Sequence, residues 1–491
     1  MRKRFSILII LTIAAITAIS LTAFAGSGKI VITWYPQEYY QPQAYPQTAK
    51  VVEEVVKNYE ALHPNVEIKL VQVPSSANYT EWMAAQVAAG TEPDIAWMWG
   101  PTSWTQKGWW IPLNKYLEEP DPYAASGAGG EHWKDAIPEY AWTFMENPAD
   151  GKIYIYPMDS LVTGLIYNKT IFDKLHLPTH WNSWGEFMDT MAAIKTAGYV
   201  PFSAYWGSTG GAFTSWADPA VYTPLMAAQL PKIDYMTQLN TSAFYYKGVL
   251  LRGPNQEEWS KAVYDGIISA YSPQYTKYLQ IMREWSKYFP AGFASLSGFA
   301  PVLSLFDSGK VAMIWLGSWR FPDLKNTPFS WGVTYLPGFT KKEIPDLPNP
   351  LVGTAFSAGG GVQAGTALYG ITEAASKNGV LKESLDFLMY LTTPQGMGKI
   401  ITTTGTMFPL IKGTQTAPQL DPFVDINALP QVSLGDGPTS NNPKFGAEYT
   451  ADFMDYLIGS ISMQEMQKRA QTIFEEALKY NATTYHYSWY K

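Results

Sequence analysis

Chemistry that needs a nucleophile, a metal or a cofactor is hard to assemble from this chain. None of its 491 residues is cysteine, which removes disulfides, thiolate zinc sites, iron–sulfur clusters and cysteine nucleophiles. The five histidines are His63, His132, His176, His180 and His486. His176 and His180 are four apart, but Pro178 between them prevents a shared helical face, so they read as loop residues rather than metal ligands. There is no His-Glu-x-x-His, no Gly-x-Ser-x-Gly and no Gly-x-x-x-x-Gly-Lys-Ser/Thr phosphate loop. Gly359-Gly360-Gly361 lacks the spacing of a nucleotide fingerprint and reads as a flexible or closely approached loop. Carboxylates are plentiful and a pair of them would suit glycoside hydrolysis, yet nothing in their spacing selects one pair. The excess is aromatic: 19 Trp, 32 Tyr and 22 Phe make up 15% of the chain, about as much as all charged residues at 16%. Rings of this kind offer flat apolar faces, and Trp and Tyr add a polar handle.

Those rings must be positioned by a chain long enough for two lobes with large cores. Its net charge of −7 supplies no cationic field for nucleic acid or an anionic membrane surface. Arg2, Lys3 and Arg4 precede an apolar run, Phe5–Leu21, and Ala23-Phe24-Ala25 offers a small-x-small cleavage site. This is the pattern of a secretory signal peptide over residues 1–25, and its removal would leave the chain more acidic still.

Downstream, Lys29–Thr33 reads as a first strand, followed by a Pro- and Tyr-rich loop beginning at Trp34. Gln47–His63 carries Val52, Val55, Val56 and Tyr59 at helical spacing and stops at Pro64. Val66–Leu70 alternates as a strand, Glu81–Ala89 is a helix closed by Gly90, and Asp94–Trp99 is a third strand. Strand, helix, strand, helix, strand opens a parallel α/β lobe. Further strands are expected over Gly151–Tyr156, Leu165–Asn168 and Val311–Leu316. Ser183-Trp184-Gly185-Glu186 and Ser462-Met463-Gln464-Glu465 are capping boxes that start helices, the second C-terminal. Leu381–Leu391 is amphipathic, and the stretches 118–130 and 412–445 read as surface insertions.

An ordered set of segments resembles the family 1 extracellular solute-binding proteins, the maltose-binding-protein type of ABC-importer receptor. Tyr59–Val66 resembles its first helix end and following strand start, and Ala89-Gly90-Thr91-Glu92-Pro93-Asp94-Ile95 its A-G-x-x-P-D-[IV] turn. Gly151-Lys152-Ile153-Tyr154-Ile155-Tyr156-Pro157, then Tyr167–Phe172, then Trp184–Phe187 resemble G-K-x-Y-x-x-P, Y-N-K-x-x-F and T-W-x-E-F, with Ser183 in place of Thr. Phe306–Met313 with Gly317-Ser318-Trp319 resembles F-x-x-G-x-x-A-M followed by G-x-W, and Leu381–Ile400 resembles the family's late helix and turn.

The resemblance implies a type II periplasmic-binding-protein fold: two α/β lobes joined by hinge segments, with a helical C-terminal region. It divides the chain into an N-terminal lobe of 26–156 and 339–372 and a C-terminal lobe of 157–338 and 373–491. Ligand would lie between the lobes, at strand C-terminal ends. The loops after those strands nominate Trp319, Trp206, Trp99, Trp34, Tyr35, Trp104 and Asp159. Indoles suit the C–H faces of a pyranose and polar groups its hydroxyl belt, so the expected ligand is a carbohydrate, an oligosaccharide by preference. Trp319 leads because it matches the G-x-W position. The expected partners are ABC permease subunits in the cytoplasmic membrane. No catalytic residue, cofactor or metal is implied, and the protein is expected to be an exported monomer in the periplasm or outside the cell. A secreted glycoside-acting enzyme and a receptor with non-sugar cargo stay open as alternatives.

Overall fold

The computed structural model describes residues 28–37, 40, 46–74, 78–98, 103–124, 130–147, 150–206, 213–233, 244–246, 249–252, 254–358, 365–432, 437–439 and 443–491. Residues 1–25, the expected signal peptide, and Trp99 and Gly359–Gly361 lie outside them.

Eleven strands carry the architecture: β1 Ile30–Tyr35, β2 Val66–Leu70, β3 Ile95–Trp97, β4 Tyr156–Pro157, β5 Asp159–Ser160, β6 Thr163–Asn168, β7 Val200–Ser203, β8 Val311–Gly317, β9 Trp331–Thr334, β10 Leu368–Ile371 and β11 Phe408–Pro409. The first sheet has the order β2-β1-β3-β10-β4 and the second β9-β6-β8-β7. In the first, β1 runs parallel to β2, with Ile30 opposite Val66 and Trp34 opposite Leu70, and parallel to β3. The helices Pro46–Leu62 and Tyr79–Ala89 make these crossovers, as their periodicity predicts. In the second sheet β8 lies between β6 and β7 and is buried along its whole length. Met313 and Trp315 point to one core, Ile314 and Leu316 to another.

Both predicted N-caps form, with a twist. Ser183 Oγ accepts from Glu186 N at 3.2 Å and Ser462 Oγ from Glu465 N at 3.1 Å. The glutamates do not reciprocate at the cap itself: Glu186 accepts from Asn182 N, and Glu465 pairs with Arg469.

The lobe boundaries differ from those the resemblance implied. Phe339, Ile344, Leu347, Leu351 and Phe356 pack into the second lobe's core, not the first. Ala375, Val380, Leu385, Phe387, Leu388, Ile400 and Ile411 pack into the first. The chain therefore crosses three times: between Leu161 and Val162, between Phe356 and Ala367, and between Ile411 and Leu420. The stretch expected as an insertion after residue 412 instead buries Leu420, Phe423 and Ile426 on the second sheet. Gly164 makes room for them, since a Cβ there would lie 2.3 Å from Ile426 Cδ1. Apolar residues spaced over an irregular 3-10 turn, Pro418–Phe423, give no helical or strand period for sequence reading to detect. Among the described residues no helix is long and apolar enough to cross a membrane.

Candidate ligand cleft

β7 and β8 are parallel, so their C-terminal ends open on the same side, and the segments that leave them carry rings. After Gly317, a short 3-10 helix, Ser318–Asn326, carries Trp319 as its second residue. Its start is pinned to the first crossing: Ser318 N donates to Val162 O at 2.8 Å and Val162 N to Ser318 Oγ at 3.4 Å. The indole lies against the Gly317 main chain, where a Cβ would fall 1.8 Å from Cζ3. Trp216, on the turn Phe213–Ala217, meets Trp319 edge-on at 4.9 Å between ring centroids and 86°. Phe299, first residue of the helix Phe299–Asp307, stacks on Trp216 at 6.1 Å and 16°, and Tyr205 stands edge-on to Phe299 at 4.6 Å. The Arg320 guanidinium sits 4.9 Å from the Phe299 ring and pairs with Asp323 at 2.6 Å. Burial pushes the Tyr205 phenol above its ordinary value, and the Arg320 charge pulls it partly back.

This ring group stands where the lobes meet. Trp319 belongs with the apolar cluster of the first lobe although its strand is in the second, and Trp216 and Phe299 touch both clusters. Trp319 is 6% exposed, whereas Trp216, Phe299 and Tyr205 are half-buried.

The remaining sequence-derived candidates go elsewhere. β1 continues two residues beyond the expected end at Thr33, so Trp34 and Tyr35 are strand residues that alternate across the sheet. Trp34 is 0% exposed, edge-on to Tyr369 and Phe387. Tyr35 stacks on Tyr79 at 5.2 Å on the opposite face. Trp104 is buried against Trp109. Trp206 is buried among Phe213, Phe289 and Phe293, while its neighbour Tyr205 joins the ring group. These four rings are corrected from cleft to core. Sequence reasoning did not nominate Trp216 and Phe299, which join the ring group: Trp216 lies two residues before the helix Asp218–Met226, and Phe299 is the first residue of Phe299–Asp307.

Asp159 lies among the crossing segments rather than in the ring group. It is 0% exposed and lies in β5, which pairs antiparallel with β11 of the third crossing, Pro409 opposite Asp159. Its Oδ2 accepts from Tyr40 Oη and Thr366 Oγ1, both at 2.7 Å, and its Oδ1 from Ala367 N at 2.9 Å. Thr366 and Ala367 close the second crossing, so the carboxyl ties the first crossing to the second, and the pairing of β5 with β11 brings in the third. Burial pushes that carboxyl up, against the pull of the donors.

Two lobes, three crossings knotted at one point and a ring cluster between them define a hinged ligand-binding protein. A sequence profile of the bacterial extracellular solute-binding proteins matches residues 45–398, and the chain belongs to that family. It is similar to the Multiple sugar-binding protein of Streptococcus mutans, 21% identical over 416 residues that span 79% of each chain. Its fold is similar to that of RafE from Streptococcus pneumoniae in apo form, with a TM-score of 0.60 and 19% identity over 92% of this chain and 99% of that one. RafE has also been solved in complex with raffinose. A chitin oligosaccharide binding protein gives a TM-score of 0.59 at 18% identity over 92% of this chain and all of that one.

Proposed function

We propose that this protein is an exported receptor of an ABC importer that binds a neutral oligosaccharide in the cleft between its lobes and releases it unchanged. The observation that carries the reading is the ring group of Trp319, Trp216, Phe299 and Tyr205 at the ends of the parallel strands, at the junction of the two cores. Mutually perpendicular rings form a corner, and a pyranose seated in it can rest a C–H face on one indole and its rim on the other. The sugar ligands named for its relatives support the same class.

Binding would work by closure. A sugar that touches both lobes stabilises the closed form by its contacts there that the open form lacks. The crossings, held at Asp159, let the lobes rotate about one point while each core stays packed. The closed pair of lobes is then the surface that permease subunits in the cytoplasmic membrane would read. The basic, apolar and Ala-x-Ala start of the chain supports export to the periplasm or beyond.

A melting-temperature screen over neutral oligosaccharides tests the reading, because a ligand that binds only the folded state raises the midpoint with its concentration. A saturable rise with one sugar class and no shorter products after prolonged incubation is the expected result. Release of shorter sugars would reassign the protein as a glycoside-acting enzyme.

A further inference from the structure

The first lobe carries a shelf of rings of its own. Asn78 Oδ1 accepts from Thr80 N at 2.9 Å and Glu81 N at 3.3 Å, which fixes the start of the helix Tyr79–Ala89 after β2. Tyr79 Oη donates to Trp97 O, the carbonyl of the last residue of β3. The Tyr79 ring stacks on Tyr35, the last residue of β1, and tilts against Trp97 at 5.1 Å and 54°. Trp82, one turn on, stands 6.1 Å from Tyr79 and 5.9 Å from Tyr35. Side chains on a helix lean toward its N-terminus. Contact with both those rings shows Trp82 leaning that way, over the carboxyl ends of the strands. Tyr35 is 2% exposed beneath, whereas Tyr79, Trp82 and Trp97 are half-buried, so the shelf keeps ring surface open to solvent.

That edge of the first sheet is where the chain passes between the lobes. Met98 N donates to Leu368 O at 2.8 Å, and Leu368, the first residue of β10, also pairs with Pro157. β10 begins just after the second crossing, and Pro157 leads into the first. From the other lobe, Ser318 beside Trp319 is bonded to Val162 of the first crossing. A ring group from each lobe therefore borders the crossing segments.

We infer that Trp82, positioned by Tyr79 and Trp97, is the stacking ring of the first lobe and takes a further sugar unit of the oligosaccharide held at Trp319. This rests on the carbohydrate reading above and adds to it a second subsite and a minimum length of more than one sugar unit. The three shelf side chains are uncharged, and the Tyr79 proton is spent on the Trp97 carbonyl. The shelf therefore reads the C–H face of a sugar rather than its charge. A ligand that reaches Trp82 as well as Trp319 touches both lobes, the condition for favouring the closed form.

Titration calorimetry on the exported chain tests the assignment with maltotriose, raffinose, xylotriose and chitotriose, each beside a matching monosaccharide: glucose, galactose, xylose and N-acetylglucosamine. The wild-type protein is expected to bind at least one trisaccharide about tenfold or more tightly than its monosaccharide. Trp82→Ala should weaken that trisaccharide about tenfold, the effect of truncating a stacking tryptophan, and Trp82→Phe should lose less. In protein labelled with 5-fluorotryptophan, the fluorine resonance that Trp82→Phe removes should shift when that sugar saturates the wild type. Trp82→Ala binding within about twofold of wild type, a Trp82 resonance unmoved by sugar, or equal affinity for the trisaccharide and its monosaccharide would each overturn the second subsite while leaving the carbohydrate reading in place. If no sugar binds the wild type, the carbohydrate reading fails and the subsite with it. Should Trp82→Ala fail to fold, the fluorine signal of the wild type still decides.

Discussion

Gly317→Ala is a substitution that moves the main ring of the proposed cleft without deleting it. Gly317 has φ −101° and ψ 158°, an extended conformation open to any residue, so alanine meets no backbone strain there. The conflict is steric. The added Cβ would lie 1.8 Å from Trp319 Cζ3 and 2.3 Å from Cε3 and Cη2. Carbon atoms rest at about 3.5–4.0 Å, so the indole must retreat by about 2 Å or swing off the strand. Overpacking of this kind costs about 1–3 kcal/mol of stability. The larger consequence is at the ligand. Trp319 is 6% exposed and meets the half-buried Trp216 edge-on, so its displacement unseats the ring beside it, and binding should weaken about tenfold, about 1.4 kcal/mol. Calorimetry with the best sugar from the melting screen reads the affinity, and circular dichroism with a urea melt reads the fold. Trp319→Ala should lose at least as much affinity. Wild-type affinity in Gly317→Ala would falsify the assignment of Trp319 as the stacking ring, since no placement of that indole survives the methyl group unmoved.

Three further outcomes follow from the same geometry. Asp159→Ala strands buried donors at Tyr40, Thr366 and Ala367 and should cost about 2–4 kcal/mol in a urea melt, less for Asp159→Asn, whose amide oxygen still accepts. The Asp159 carboxyl is raised above its ordinary 3.8 in the folded state, so between 3.8 and the raised value the folded protein holds more protons than the unfolded. Its contribution to stability therefore falls as pH rises through that window, and Asp159→Asn should remove this component from a stability–pH profile; an unchanged slope would show that the carboxyl does not titrate there. Trp206→Ala should cost about 3–5 kcal/mol of stability as a core cavity while Trp216→Ala loses sugar affinity with a smaller drop in stability, and the reverse pattern would exchange their roles.

The elements were legible where one periodicity ran through one face. The helix before Pro64, the alternating Val66–Leu70 and the two serine caps needed no tertiary information. The ring assignments were less legible, and the reason is parity. The apolar β-branched run stops at Thr33, which puts Trp34 and Tyr35 in a loop by pattern alone, but a strand ends where its hydrogen bonds end, and Trp34 still pairs with Leu70 and Ile95. Tyr205 and Trp206 are adjacent, and a single residue of register decides which ring enters the core and which faces the cleft. Lobe boundaries were hidden for another reason: a crossing segment leaves one core and enters the next without any change in composition. For Trp319, the G-x-W spacing has a steric meaning that the structure adds: a Cβ on Gly317 would collide with the indole two residues on.

The aromatic richness of the chain is therefore a poor guide to the size of its binding site. Most of the rings build the two cores: Trp184, Phe187, Phe202, Trp285 and Phe289 interlock in the second lobe, and Trp133, Trp142 and Tyr156 in the first. What distinguishes the cleft rings is how they are held. Trp319 sits on a short helix anchored at its first residue to the crossing strand, with its ring backed by main chain, so it loses little freedom when a ligand arrives. Trp216 sits on a single irregular turn and touches both lobes, so its setting depends on the angle between them. A fixed ring and a ring coupled to closure together make affinity sensitive to whether a sugar permits the lobes to meet. A ligand that stacks on Trp319 but props the lobes apart would gain only the first contact, which links recognition of the sugar to production of the closed shape.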